Sequence, residues 1–390
     1  MKILYILNST IKQGGATKSF MTMLSGLVAK GISPIVLMPD NEGIYSDLIT
    51  MGVPSLVIPY RQYIYPKYNS VKDLILFVPL LLKWIYLNKK AARRLADYIK
   101  DHPVDMIHTN TTVVNIGFDV AKRLHIPHVY HIREYADKDF NMHYIPSSRV
   151  FHRKLKKPNS YCISITRDIQ RYHHVEKIPS SRYIYNGIMP QKSEWHPIEK
   201  KRYFLFAGRI EPAKGVSELL EGYQIYHSKT STPVPLYLAG AQYNKNYSNL
   251  LQQFIAKHHL SDSISFLGIQ TNLDKWMSNA LAIVISSPNE AFGRCMAEAM
   301  MNDCLVIGHN TGGTMEQFDN GVQMHHEEIG LRYMTAEELA DLLYNVEQTT
   351  PDHYCYIREK AFITANTLYS NENNAEQIYQ FYEDILSHKI

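Results

Sequence analysis

From Met1 onward, short apolar runs alternate with stretches whose apolar side chains recur every three or four positions. A run of four to eight apolar residues suits a strand buried on both faces, and the three-to-four spacing suits a helix with one face covered. On this basis strands are expected at 1–7, 33–38, 53–59, 106–109, 129–132 and 160–165. A helix is expected over 18–30, where Phe20, Met23, Leu24, Leu27 and Val28 share a face and Gly31 ends it. Strands that alternate with helices in this way build a doubly wound parallel sheet, here over about the first 185 residues.

A polar stretch with Pro190, Lys192, Glu194, Pro197 and Glu199 then reads as a linker. The rhythm resumes after it, with strands at 203–208, 235–239, 264–267, 282–286 and 305–308 and helices at 215–227, 246–259, 273–280 and 292–301. The tail 371–387 places Ile378, Phe381, Tyr382 and Ile385 on one face, which predicts a final docking helix. The expected class is α/β: two Rossmann-like doubly wound domains, residues 1–189 and 200–370.

One apolar stretch breaks the pattern. Residues 74–87, LILFVPLLLKWIYL, are apolar on nearly all sides and are followed by Lys89, Lys90, Arg93 and Arg94. This composition suits a helix buried between the sheet and a neighbouring layer, and also a helix lying in a membrane interface. Pro79 is expected to kink or interrupt it. The stretch is shorter than the ~18 residues a membrane span needs.

With 45% hydrophobic and 20% charged residues the chain is globular, not disordered or collagen-like. Four cysteines (Cys162, Cys295, Cys304, Cys355) lack metal-site or disulfide-framework spacing and fit a reducing cytoplasm. The opening MKILYILN turns polar too soon for a signal peptide. Charge divides unevenly: residues 1–200 hold 28 basic and 15 acidic residues, a balance of +13, and the remainder has −9. An excess of this kind suits a domain facing an anionic surface, or scatter over solvated faces. Arg149 to Lys157, RVFHRKLKK, adds five positive charges.

Two windows carry candidate chemistry. In SSPNEAFGRCMAE, residues 286–298, a strand ends, a turn follows and a helix begins near Gly293. Glu290 precedes the helix and Glu298 lies within it, so the two carboxylates could hold hydroxyls at two ends of one ligand, or serve as a cap and a surface charge. Backbone N–H groups around Phe292 and Gly293 would favour an anion at the helix start. In FAGRIEPAKG, residues 206–215, Arg209 and Lys214 follow a strand's carboxyl end, where open α/β sheets bind ligands. A planar guanidinium fork and a point charge there suit a diphosphate. Gly15, in QGGATKS, would let backbone approach a phosphate at a helix start in the other domain.

Beyond single motifs, GGA near the start, HTN at 108–110, HIRE at 131–134, YNGI at 185–188, GRIEPAKG at 208–215, FLG at 266–268, EAFGRCMAEAM at 290–300 and NTGGTMEQF after it occur in one order. In that order and spacing, over roughly 1–320, the chain resembles the retaining glycosyltransferases of family 4. The resemblance implies the GT-B fold, two Rossmann-like domains facing a central cleft. It implies a nucleotide-sugar donor in the C-terminal domain, an acceptor in the N-terminal domain, and a C-terminal helix, 371–390, that crosses back to the N-terminal domain. It also implies roles: Arg209 and Lys214 on the donor diphosphate, Glu290 on the sugar hydroxyls, Glu298 on the ribose, and the Phe292–Gly293 backbone at sugar and phosphate. Gly15 would meet the phosphates and His131 the acceptor side of the reacting centre. No metal or other cofactor is implied, because Arg209, Lys214 and a helix dipole neutralise the leaving group.

Three departures from the family pattern limit what carries over: Asn302-Asp303-Cys304-Leu305 in place of a Gly-x-Pro-Val turn, Ala291 in place of a glycine, and GVQMHHEEIGL at 321–331 in place of a Gly-Leu-Leu-Val ending. Base and sugar depend on pocket shape around Ile269 and Asn289. The expected acceptor is a glycan or lipid-linked molecule of bacterial surface-polysaccharide assembly, reached by a cytoplasmic enzyme at an anionic membrane surface, with no part for nucleic acid. A nucleotide-sugar epimerase of the same fold and a catalytically silent binding partner are the competing readings.

Overall fold

The computed structural model describes residues 1–12, 14–66, 71–140 and 142–390. Two compact units divide the chain, one of residues 1–187 with 371–390 and one of residues 188–370.

The first unit contains β1 (Lys2–Ile6), β2 (Ser33–Met38), β3 (Ser55–Val57), β4 (Ile64–Pro66), β5 (Met106–Thr109), β6 (His128–Ile132), β7 (Met142–Tyr144), β8 (Ser160–Ser164) and β9 (Ser181–Tyr183). Seven of these form a parallel sheet in the order β3-β2-β1-β5-β6-β8-β9, and β4 pairs antiparallel with β7. Every residue of β5 and β6 is buried, as central strands covered on both faces must be. Strands β4, β7 and β9, three residues each, are too short to leave a period in the sequence.

The tail forms the helix Asn371–Leu386 and packs on the helix Gly15–Ala29 within this unit. Contact is close because Gly26 lacks a side chain: a Cβ there would stand 2.7 Å from the Cβ of Ala375. Ile378, Phe381, Tyr382 and Ile385 are buried, each contributing about 2 kcal/mol over the exposed state.

The long helix Val71–Asp101 runs through Pro79, so the expected interruption does not occur. Pro79 sits at an exposed position, where the carbonyl that loses its N–H partner can turn to water. Burial on all sides does not occur either: Ile75 and Leu82 are 68% and 63% exposed.

The second unit contains β10 (Lys201–Ala207), β11 (Leu236–Ala239), β12 (Ile264–Gly268), β13 (Ala280–Ile285), β14 (Val306–His309) and β15 (Leu331–Tyr333), a parallel sheet in the order β12-β11-β10-β13-β14-β15. Residues 190–199, which read as a linker, are fastened to this unit. The Trp195 indole N–H and the Ile198 backbone N–H both donate to the Asp303 carboxylate, at 3.0 and 2.8 Å. Lys200 and Arg358 pair with the same carboxylate at 2.9 and 2.5 Å. Asp303 adopts φ 57°, so the residue that departs from the family turn takes a left-handed conformation and anchors the chain entering β10.

Three helices past β14 went unread in the sequence: Gly312–His325, Ala336–Gln348 and Cys355–Leu368. The first buries Glu316, Gln317 and Asn320, and the third Arg358, Lys360 and Thr364, so polar residues interrupt the covered faces of these two, whereas the second has an apolar face of Leu339, Ala340, Leu343 and Val346.

Candidate active site

In the second unit the residues after β10 and β13 meet at the carboxyl edge of the sheet. Gly215 has φ 65°, and a Cβ on it would fall 1.9 Å from the Ser286 carbonyl oxygen. Only glycine allows this approach. It seats the turn Pro212–Lys214 against the loop 286–290, where the Ser286 hydroxyl donates to the Lys214 carbonyl at 2.8 Å. The Lys214 ammonium donates to both Glu290 oxygens, 3.1 Å to Oε2. Arg209, half exposed, pairs with Glu211 at 2.9 Å.

The loop 286–293 is cinched to the start of the helix Gly312–His325. The Gly313 N–H donates to the Glu290 carbonyl at 2.6 Å, and a Cβ on Gly313 would come within 2.6 Å of the Phe292 backbone. The Gln317 amide donates to the carbonyls of Phe292 and Gly293. Gly293, at φ 87°, turns the chain into the helix Arg294–Met301. The Phe292 ring points into the core, edge-on to Tyr369 at 5.3 Å, so this residue offers only backbone to a ligand. On the helix, Arg294 donates to Glu298 at 3.0 Å. Burial, and after it the charges of Glu298 and Glu290, push the Cys295 thiol well above its ordinary value. Ile269, just past β12, is 61% exposed.

The geometry therefore joins Lys214, Glu290 and the Gly293 helix start, places Glu298 one turn further on, and leaves Arg209 at the same edge with Glu211. A cation, two carboxylates and a helix N-terminus can together hold a diphosphate and a set of hydroxyls.

In the first unit Gly15 is the first residue of its helix, exposed, with no acidic residue in the first turn to oppose an anion. Gln13, in the same motif, lies outside the described residues. His131 stands on β6, fully buried. Its Nδ1 accepts from the Arg133 guanidinium at 3.3 Å and from His108 Nε2 at 3.1 Å. A guanidinium can only donate, so the ring carries its hydrogen on Nε2. Burial, Arg133 and His108 hold its pKa well below the ordinary histidine value. His131 is thus a neutral Nε2–H donor and not a base. Its Nε2 has no partner among the described residues.

The sequence reading assigned no role to the residues that hold His131. Arg133 Nε donates to Asn110 at 2.9 Å and Nη1 to Asn186 at 2.5 Å. His108 Nδ1 meets the Tyr382 hydroxyl. Glu134, also buried, accepts from the Thr111 hydroxyl at 2.7 Å and from the Thr112 backbone and hydroxyl at 2.6 Å. HTN, HIRE and YNGI thus form one network, and their shared position just at or after strand ends was the available signal.

Known proteins resemble the chain in family and in fold. The family model described as "Glycosyltransferase Family 4" matches residues 13–192, and "Glycosyl transferases group 1" matches residues 189–361. N-acetyl-alpha-D-glucosaminyl L-malate synthase of Bacillus anthracis is 23% identical over 233 residues, 60% of this chain and 56% of the relative, so the alignment spans little more than half of that protein. Anabaena HepE in complex with UDP and glucose superposes with a TM-score of 0.76 at 19% identity, over 98% of this chain and 100% of that one. WaaG, a glycosyltransferase involved in lipopolysaccharide biosynthesis, does so with a TM-score of 0.66 at 17% identity, over 96% and 99%.

Proposed function

This chain belongs to the glycosyltransferases of family 4 and has their GT-B fold of two Rossmann-like domains, and from that premise we propose that it moves a sugar from a nucleotide-diphosphate donor to a glycan or lipid-linked acceptor with retention at the anomeric carbon. The observation that carries this reading is the contact of Lys214 with Glu290 beside the Gly293 helix start, at the carboxyl edge where parallel sheets bind ligands.

In this reading Arg209 and Lys214 bind the diphosphate, and the charge that develops on the leaving phosphate is met by these two cations and the backbone N–H groups at Gly293. Glu290 accepts hydrogen bonds from sugar hydroxyls and Glu298 from the ribose. Attack comes from the face the leaving group departs, and a phosphate oxygen takes the acceptor's proton. Gly15 adds an N-terminal helix dipole toward the phosphates, and His131 Nε2–H donates to a substrate oxygen. No metal ion takes part, so a chelator leaves the rate unchanged. The UDP and glucose held by the Anabaena protein, and the lipopolysaccharide role of WaaG, support a UDP-sugar donor and a part in bacterial surface-polysaccharide synthesis. The basic excess of residues 1–200 supports a place for that reaction in the cytoplasm beside an anionic membrane.

Thermal shift with UDP, GDP, ADP and CMP tests the reading. A ligand at about 100 times its Kd adds roughly 2.7 kcal/mol of stability. One nucleoside diphosphate stabilises the protein and fails to stabilise Glu298→Ala; no stabilisation by any of them overturns the donor site. Arg209→Ala lowers turnover by roughly 2.7 to 4 kcal/mol of barrier, and wild-type turnover in that variant removes Arg209 from the site.

A further inference from the structure

The helix Gly312–His325 starts with an unused cap. Thr311 stands at its N-cap position, where a threonine hydroxyl normally accepts from an N–H of the first turn, yet this side chain makes no capping bond. The Thr311 hydroxyl instead donates to the Pro288 carbonyl at 2.9 Å, in the loop that carries Glu290. His309, buried at the end of β14, stands behind it with Nδ1 2.9 Å from the same hydroxyl oxygen. A carbonyl only accepts and a hydroxyl has one hydrogen, so with Thr311 engaged on Pro288 the ring must be the donor. Nδ1 therefore carries hydrogen. The other ring nitrogen, Nε2, faces the Glu218 carboxylate at 3.5 Å, in the first turn of the helix Val216–His227.

A ring with hydrogen on Nδ1 alone would turn a lone pair toward that carboxylate, so the arrangement is complete when His309 is an imidazolium. Loss of the second proton sets up a competition. Glu218 draws the remaining hydrogen to Nε2; Nδ1 then becomes an acceptor and takes the Thr311 hydrogen away from Pro288. The other charged and titratable groups around the ring are committed elsewhere. Tyr333 of β15, edge-on to the ring at 5.3 Å, stays neutral, because burial and then the Glu218 charge push its hydroxyl far up. Arg332, beside it on β15, is held by Asn310, Asp319 and Glu328, and Lys214 is held by Glu290. Burial, opposed by His309 and reinforced by Glu221, keeps the Glu218 carboxyl above its ordinary value.

We propose that His309 is a positioning residue of the donor site: its Nδ1–H keeps the Thr311 hydroxyl on the Pro288 carbonyl, and that bond sets the loop 286–290 so that Glu290 meets the sugar of the donor. The proposal rests on the transferase reading above and adds to it a residue that acts through the loop. Two bonds already tie this loop down, from the Ser286 hydroxyl to the Lys214 carbonyl and from the Gly313 N–H to the Glu290 carbonyl. The Thr311 bond lies between them, and a single proton decides it. Because Glu290 serves the sugar and Glu298 the ribose, release of the loop weakens the sugar's share of binding and spares the nucleotide's.

Calorimetric titration of the full chain with UDP and with UDP-glucose, UDP-galactose and UDP-N-acetylglucosamine tests it. The readout is the ratio of UDP-sugar to UDP affinity for the sugar that binds best. In the wild type this ratio is highest near pH 6 and falls about three- to tenfold toward pH 9, the value of one hydrogen bond. Thr311→Val and His309→Leu show the reduced ratio at every pH. His309→Asn, which keeps a donor at the Nδ1 position and cannot titrate, holds the high ratio throughout, and so does Glu218→Ala, which no longer competes for the ring hydrogen. UDP itself binds the wild type and all the variants alike. A wild-type ratio in Thr311→Val and His309→Leu overturns the proposal, as does an equal loss of UDP affinity, which would mark a general disturbance of the fold. The ring is also read without any ligand: ¹⁵N signals of His309 show hydrogen on both nitrogens near pH 6 and on Nε2 alone near pH 9. Hydrogen on Nε2 alone at both pH values overturns the role of His309 whatever the protein binds. Wild-type protein that binds neither UDP nor a UDP-sugar strikes the donor reading itself, whereas UDP binding with variants that leave the ratio untouched strikes only His309.

Discussion

The two units differ in the polar groups they bury most deeply, although the first also covers Arg133 and Glu134. The first buries neutral histidines: His108, His128, His131 and His173 are almost wholly inaccessible, with His108 and His131 bonded ring to ring, His128 bonded to the Thr109 hydroxyl and His173 to the Glu134 carbonyl. The second buries charge: Asp303, Lys200 and Arg358 form a cluster whose side chains are at most 3% exposed. A neutral ring escapes the desolvation cost of an ion but must stay unprotonated, whereas a buried ion pair tolerates a range of pH and fails when either partner is removed. The same contrast extends to the surface, where the first unit carries an exposed apolar stripe and a basic excess.

Mild acid should separate the units most strongly. Burial depresses the pKa of His173 to about 4 and that of His128 to about 3, and pushes His108 and His131 in the same direction. Their unfolded value is about 6.5, so between pH 6.5 and 4 the unfolded chain binds more protons than the folded one and stability falls as pH falls. The stabilisation is fully present above pH 6.5. His173 alone loses roughly 3 kcal/mol on reaching pH 4, and His128 adds to it. Urea titrations between pH 7.5 and 4.5, followed through Trp84 in the first unit and Trp276 in the second, read the two units separately. Equal losses at both tryptophans would break the contrast.

Asp303→Asn attacks the other unit. It leaves Lys200 and Arg358 facing each other without a counter-charge and should cost about 3 to 5 kcal/mol. The urea midpoint at Trp276 drops and that at Trp84 holds. A loss under about 1 kcal/mol would mean that water reaches the cluster and that the chain entering β10 is held by something else.

How much of this could be read from the chain differs by kind of contact. The strands of both sheets other than the three-residue edge strands β9 and β15 were legible because buried parallel strands are written as short apolar runs, and β2 and β5 occupy the positions their sequences predict. The histidine network was not, since His108 and Tyr382 lie 274 residues apart and histidines on an apolar strand give no periodic signal. The long helix was legible as apolar but not in its orientation: a segment apolar all round does not say which face the protein covers. Asp303 was visible only as a departure from a family turn, and its bonds to Trp195, Lys200 and Arg358 come from segments the sequence does not connect.

A smaller effect sharpens the first unit's half of the comparison. Arg133→Leu removes the donor that fixes His131 and strands the Asn110 and Asn186 oxygens, costing about 1 to 3 kcal/mol. The diagnostic readout is the ¹⁵N signature of the His131 ring. It reports hydrogen on Nε2 in the wild type and a mixture of tautomers in the variant. An unchanged signature would show that His108 alone sets the tautomer.

The smallest change in stability tests the second unit's site. Glu298 pairs with Arg294 four residues earlier on one helix, both side chains mostly covered. If that pair is all Glu298 does, Glu298→Gln costs about 0.5 kcal/mol or less, the usual value of such a pair, and the donor KM stays where it was. If Glu298 holds the ribose, stability shifts by the same small amount while KM for the donor rises several-fold at unchanged kcat, because an amide accepts hydroxyl protons less strongly than a carboxylate. Arg294→Gln supplies the control: it breaks the same pair from the other side and leaves the carboxylate in place. A KM that rises equally in both variants would trace the effect to the pair's hold on the helix. A rise confined to Glu298→Gln places the carboxylate on the donor.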